Sequence, residues 1–218
     1  MCRLPTLLIV ASLLMALPAL AAPKKPPLAV APAAEPAKPK TNAAPAGLPQ
    51  AYIEKLHVKL DGLVKANADL DALHAAIAKE LDNALDYGEM AKLTLPAAWD
   101  GLQPAQRTEF VALLQKMVQN TYVKRFKPGN PATVTYGPTK PLPAGRFEVQ
   151  TTISVNKASA DVHYLLLAGD GRWAVYDLVV DEASQVQSYR KNFGKILDKE
   201  GWSGLITRMK KAAAKKPS

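Results

Sequence analysis

The side chains best suited to chemistry in this sequence are few and scattered. Three histidines, His57, His74 and His163, lie far apart, and none stands at the i, i+4 or HxxH spacing that lets one helix face hold a metal ion. Each reads as a surface or boundary histidine. There is no GxSxG elbow, no glycine-rich phosphate loop and no Cys/His cluster, so nucleophilic and phosphate-transfer machinery have no sequence support. Asp177, Asp181 and Glu182 crowd together and could form an acid–base pair. Acids leaving a strand more simply cap the next helix and favour its positive end. Arg190 follows a tyrosine on an apolar stripe, where it either pairs with a nearby acid or offers a guanidinium to a phosphate at a pocket mouth. Trp99, Trp173 and Trp202 fit a core, and equally the rim of an apolar pocket.

The elements that must position these residues show in the hydrophobic periods. From Tyr52, the residues Ile53, Leu56, Leu60, Leu63 and Val64 share one helical face. Leu70, Leu73, Ile77, Leu81, Ala84 and Leu85 repeat the 3.6-residue spacing after a break at Asn67 to Asp69. A third helix is predicted from about Pro104 to Phe126, with Phe110, Leu113, Leu114, Met117, Val118, Thr121 and Tyr122 on one stripe, Pro104 in its first turn and Pro128-Gly129 ending it. The period then becomes two. Thr133 to Tyr136 is a short candidate strand, Phe147, Val149, Thr151, Ile153 and Val155 alternate with polar residues, and Val162 to Ala168 and Trp173 to Val180 complete four strands. Turn signals between consecutive strands imply antiparallel pairing. Helical spacing returns from Ala183 to Leu197, and again from Ser203 with Leu205, Ile206 and Met209. Helices, then strands, then helices describe an α+β domain whose helices pack on a curved antiparallel sheet of about four strands, an arrangement able to enclose an apolar cavity.

The ends of the chain read differently. Of 218 residues, 48% are hydrophobic, and the longest apolar run, Leu4 to Ala22, lies at the extreme N-terminus. With Arg3 before it and Ala19-Leu20-Ala21 at its end, residues 1–21 read as a secretory signal peptide, which predicts export. Its removal would take away Cys2, the sole cysteine, and with it any disulfide or thiol chemistry. Residues 22–49 contain eight Pro and nine Ala, a composition that cannot build a core and predicts an extended tether. The folded domain is expected over 50–209, and 210–218 reads as a basic disordered tail. The net charge of +9 divides into +4 in residues 1–49, +4 in 210–218 and only +1 between them. A nucleic-acid-binding domain needs its basic residues on the folded surface, so the partition argues against that partner. Terminal lysines suit solvated ends, or transient contact with anionic membrane surfaces.

The stretch WAVYDLVVDEASQVQSYRKNFGKILDKEGWSGLITRM, Trp173 to Met209, resembles the C-terminal signature of the MlaC-type, or toluene-tolerance, family of periplasmic phospholipid-binding proteins, which implies the periplasm as the compartment. The matching residues are Trp173, Val175, Tyr176, Asp177, Ser184, Tyr189, Arg190, Phe193, Gly201, Leu205 and Ile206. Upstream, Asp86-Tyr87, Met90-Ala91, Trp99, Gln106-Arg107, Phe110 and Tyr122 are similar to the family's helical half. The likeness spans roughly Tyr52 to Met209. Two departures stand at the strand-to-helix corner, Glu182 for a usual glycine and Gln185 for a usual aliphatic residue.

The resemblance implies an NTF2-like or cystatin-like half-shell and a non-enzymatic carrier with no cofactor, its phospholipid being cargo. It implies as partners an inner-membrane MCE-domain/ABC transporter complex and an outer-membrane lipoprotein complex, with the carrier itself a monomer. The cavity lining expected on this basis is Trp99, Phe110, Leu114, Met117, Phe147, Val149, Ile153, Tyr164, Trp173, Val175, Tyr189 and Phe193, with Arg190 near the head group. A carrier of hopanoids or other polycyclic lipids, and a small-ligand or enzymatic domain on the same fold, are the alternatives that stay open.

Overall fold

The structure, a computed structural model, describes residues 47–169 and 171–215. The signal-peptide segment and nearly all of the expected tether lie outside the described residues.

Helix α1, Pro49–Ala66, opens with proline in its first turn, where the missing N–H is one that a helix leaves unpaired anyway. It buries Ile53, Leu56, Leu60 and Val64 as one stripe. Asp69 caps α2, Leu70–Ala84, by accepting from the Ala72 N–H. Asp86 likewise accepts from Glu89 N–H to start the short α3, Tyr87–Thr94. A 3₁₀ turn, Trp99–Gly101, precedes α4, Pro104–Tyr122, whose start is closed by a reciprocal pair of bonds between Gln103 and Gln106. The long α5, Gln185–Ala213, is really two helices joined at Gly201, where φ 66° and ψ −170° belong to a region only glycine occupies comfortably.

Five strands form one open antiparallel sheet in sequence order: β1 Thr133–Leu142, β2 Arg146–Val155, β3 Ala158–Gly169, β4 Arg172–Val180 and β5 Ala183–Ser184. The architecture is therefore α+β as expected, with one strand more than the four read from sequence. The extra strand is two residues long, too short to carry a period of its own. β1 is also longer than its expected four residues, because a register shift between Tyr136 and Thr139 breaks its alternation midway. At the opposite edge, Leu85 forms a parallel bridge to Val175, and Asp86 N–H donates to the Val175 carbonyl at 2.8 Å.

Facing partners across an antiparallel pair share a side of the sheet. Val149 stands opposite Tyr164, Tyr164 opposite Leu178, Phe147 opposite Leu166, and Leu166 opposite Val175. This face carries the core, packed against α1, α3 and α5, while Glu148, Gln150 and His163 occupy the other, where His163 Nδ1 lies 2.7 Å from Glu148 Oε1.

Both expected domain limits move outward. The helix starts at Pro49, and Trp173 Nε1–H donates to the Gly47 carbonyl at 3.1 Å, so residues assigned to the tether are tied to the sheet. At the other end α5 runs to Ala213, four residues into the expected tail. Lys210 pairs with Glu109 at 2.8 Å, and Asn120 Nδ2–H donates to the carbonyls of Ala213 and Lys215.

Candidate functional site

The side chains of the expected lining converge, with two exceptions. Phe110, Leu114 and Val149 are fully buried, and Val175, Phe193, Trp173 and Tyr164 are nearly so, all in one cluster between the sheet and the helices. Trp99, Met117, Phe147 and Tyr189 are half-buried and pack on that cluster. Ile153, nearer the β2–β3 turn, is half-buried and outside it. Arg190 is exposed on α5.

Aromatic rings knit this interior together. Phe110 meets Phe193 edge-on at 5.5 Å between centroids, lies 6.0 Å from Trp202 and 6.5 Å from Trp99, and Phe193 stacks on Tyr189 at 5.4 Å. Trp173 and Phe147 form a second edge-on pair at 5.3 Å. Two arginines brace the aromatic side chains. Arg107 donates from Nε and Nη2 to the carbonyls of Trp99 and Asp100, and its guanidinium lies over the Trp99 indole at 5.6 Å. Arg146 pairs with Glu89 and lies over Tyr176 at 4.5 Å, binding α3 to the sheet.

A band of polar groups borders the aromatic interior. His57, on α1, reaches the sheet: its Nδ1 is 2.8 Å from the Tyr136 hydroxyl and its Nε2 is 2.8 Å from the Tyr164 hydroxyl. A neutral imidazole offers one donor and one acceptor, which suits two hydroxyls. Burial disfavours the charged ring and lowers its pKa to about 4. Burial also pushes the Tyr164 and Tyr122 phenols up, so both keep their protons. This histidine was not foreseen as anything but a boundary residue. Its signal was its place one residue after Leu56 on the buried stripe, but its partners are distant strand residues that no local spacing reveals.

The acids at the strand exit divide the work. Asp177, buried, accepts from Ser184 Oγ–H at 2.6 Å and from the N–H groups of Leu178 and Val186 at 2.8 and 3.0 Å. It thus bonds to the start of α5, as the capping reading expects. Asp181 Oδ1 accepts from the Asp161 N–H instead. Asp181 and Glu182 both take positive φ, 46° and 67°, which explains why a glycine would be at home at position 182.

Arg190 has no hydrogen bond or ion pair among the described residues, so the pairing alternative is not realised. It lines an open depression of about 580 Å³ with Glu182, Ala183, Ser184, Gln187, Ser188 and Lys191, on the side of α5 turned to solvent. Among the described residues no group of three potential metal-ligating side chains exists, and no helix is long and apolar enough to cross a membrane.

Comparison with known proteins agrees with this arrangement. No curated protein matches the chain. A solved structure of a phospholipid-binding protein from Ralstonia solanacearum, in complex with a phospholipid, superposes with a TM-score of 0.69, covering 76% of this chain and 96% of that one. At 17% identity this likeness is one of fold. The family model described as MlaC protein matches residues 53–211, which is the helical half, the whole sheet and nearly all of α5. With most of its length matched, and with the signature residues Asp177, Ser184 and Gly201 each found at a structural corner, this chain belongs to the MlaC family.

Proposed function

We propose that this protein is a periplasmic carrier of diacyl phospholipid. It takes the acyl tails between the core face of the sheet and helices α4 and α5, and leaves the head group in water. The observation that carries this reading is the aromatic interior of Phe110, Phe193, Tyr189 and Trp99, lying beneath an open sheet and bordered by polar side chains. Family membership and the phospholipid held by the Ralstonia solanacearum protein of the same fold support it.

The energetics explain why such a carrier is needed. An acyl tail of about fourteen methylenes holds on the order of 11 kcal/mol of hydrophobic free energy at roughly 0.8 kcal/mol per CH₂. It cannot cross an aqueous compartment uncovered. The head group, by contrast, is costly to bury and belongs outside. Binding fits the polar groups better than catalysis does: His57, Tyr136, Tyr164, Asp177 and Ser184 spend their hydrogen bonds on one another and on backbone.

The protein would act as a monomer, receiving and delivering its lipid at an inner-membrane MCE-domain/ABC transporter complex and an outer-membrane lipoprotein complex. Arg190, Lys191, Lys195 and Lys199 are exposed along α5 and suit brief contact with anionic membrane surfaces, at roughly 1 kcal/mol per basic side chain near the surface. A transfer assay tests the carrier function. Fluorescent phospholipid in donor vesicles should move to acceptor vesicles faster in proportion to added protein, and a rate that does not respond to protein would reject it.

A further inference from the structure

Phe110, Leu114, Val118 and Tyr122 follow one another at intervals of four along α4, a single row about 18 Å long at 1.5 Å per residue. The first three are fully buried and apolar. The row ends on a hydroxyl that is shut off from solvent and has no hydrogen-bond partner among the described residues. Its ionisable neighbours are Tyr189, Arg125, Asp177 and Tyr164, and none of them serves it. Tyr164 is bonded to His57. Asp177 has both oxygens engaged by Ser184 and two backbone N–H groups. The Arg125 guanidinium lies over the Tyr122 ring, 5.7 Å from its centroid, and Tyr189 has Thr121 beside its own hydroxyl.

A buried hydroxyl in this situation needs an acceptor from outside the chain. The surroundings define that acceptor. Burial keeps the phenol protonated, so it donates. The Arg125 guanidinium and the Asp177 carboxylate act on this position with opposite signs, and the burial itself makes a phosphate anion costly there while leaving an uncharged carbonyl oxygen unopposed. A diacyl phospholipid with its tails along Phe110, Leu114 and Val118 carries such a carbonyl where each tail ends. We propose that Tyr122 donates to an acyl-ester carbonyl of the bound lipid and thereby selects ester-linked over ether-linked phospholipids. The inference rests on the phospholipid reading above and deepens it.

The test offers the delipidated full-length protein an equimolar mixture of dihexadecanoyl and di-O-hexadecyl phosphatidylglycerol in vesicles, and measures by mass spectrometry the ratio of the two lipids bound. One hydrogen bond to a neutral acceptor corresponds to a preference of about five-fold. Wild type should favour the ester lipid by that factor. Tyr122→Phe should bring the ratio close to one while keeping total occupancy, and Tyr87→Phe, whose hydroxyl is spent on Asp82, should leave the preference intact. Since the Tyr122 hydroxyl has no partner among the described residues, Tyr122→Phe should also match or exceed the wild-type melting temperature.

A wild-type ratio near one, or a preference that survives Tyr122→Phe, overturns the assignment while leaving the carrier reading standing. Unfolding of Tyr122→Phe overturns it too, because it would mean that the hydroxyl is bonded within the protein. Failure of wild type to capture either lipid overturns the carrier reading, and this inference with it.

Discussion

Ser184 donates its hydroxyl proton to Asp177 Oδ2 across 2.6 Å, while the other oxygen of Asp177 accepts the N–H of Val186 in the first turn of α5. One buried carboxylate therefore joins the last long strand to the helix that covers the sheet. This explains why an aspartate on a strand and a serine seven residues later belong to one signature. Asp177→Ala should lower stability by about 3 kcal/mol, the cost of leaving buried donors unpaired. Asp177→Asn keeps an acceptor for both N–H groups and can donate its Nδ2–H to Ser184 Oγ in place of the native bond, so its loss should be below about 1 kcal/mol. Denaturant titration of the two variants checks the ordering.

His57 carries a pH dependence of defined sign. Its folded pKa, about 4, lies below the ordinary value of 6.5, so the unfolded chain binds the extra proton first as pH falls. The stability held above pH 6.5 is lost between about pH 6.5 and 4, and this group's share of the loss is about 2 kcal/mol by pH 5. In His57→Gln the drop in unfolding free energy between pH 7.5 and 5 should be smaller by that amount. An identical drop in the two proteins would show that the ring is not held neutral by its burial between α1 and the sheet.

Gly201 and Glu182 make a contrasting pair. Gly201 stands at φ 66° and ψ −170° with open space where a Cβ would go, so Gly201→Ala should cost about 1–3 kcal/mol from backbone strain alone. Glu182 already occupies the left-handed region, and Glu182→Gly should raise stability by up to about 1 kcal/mol. Thermal melts of both variants would reveal opposite shifts.

How much of this was legible beforehand follows from the range of each signal. The stripes of α1, α2 and α4 and the alternation of β2 are local patterns, and the elements formed where those patterns lay. β1 was half seen because the irregularity at Gly137-Pro138 interrupts its period, and β5 was missed because two residues have none. The aromatic interior could be assembled from stripes that had to face inward. Ile153 was assigned to it by alternation alone, which fixes a face of the strand but not a position along it. The His57 bridge depends on how α1 lies on the sheet, and the unpartnered Tyr122 hydroxyl on how the end of α4 is buried, long-range relations with no trace in spacing.

The alternation in β2 supplies an internal control for the interior. Val149 is fully buried opposite Tyr164, whereas Gln150 lies on the other face and donates from Nε2 to Glu148. Val149→Arg places an unpaired charge among apolar side chains at a cost of about 3–5 kcal/mol. Where circular dichroism shows the variant still folded, its bound lipid should be lost. Gln150→Arg meets the Glu148 carboxylate and should keep both fold and lipid. Equal lipid contents in the two folded proteins would remove β2 from the binding surface.

The most direct measurement is the identity and amount of what the purified wild-type protein carries. Organic extraction of the folded protein followed by mass spectrometry and a phosphorus count should return about one diacyl phospholipid per chain, held by burial of apolar tail surface. Recovery of a polycyclic lipid without acyl esters, of a small polar compound, or of no ligand from protein exposed to membranes would contradict the account.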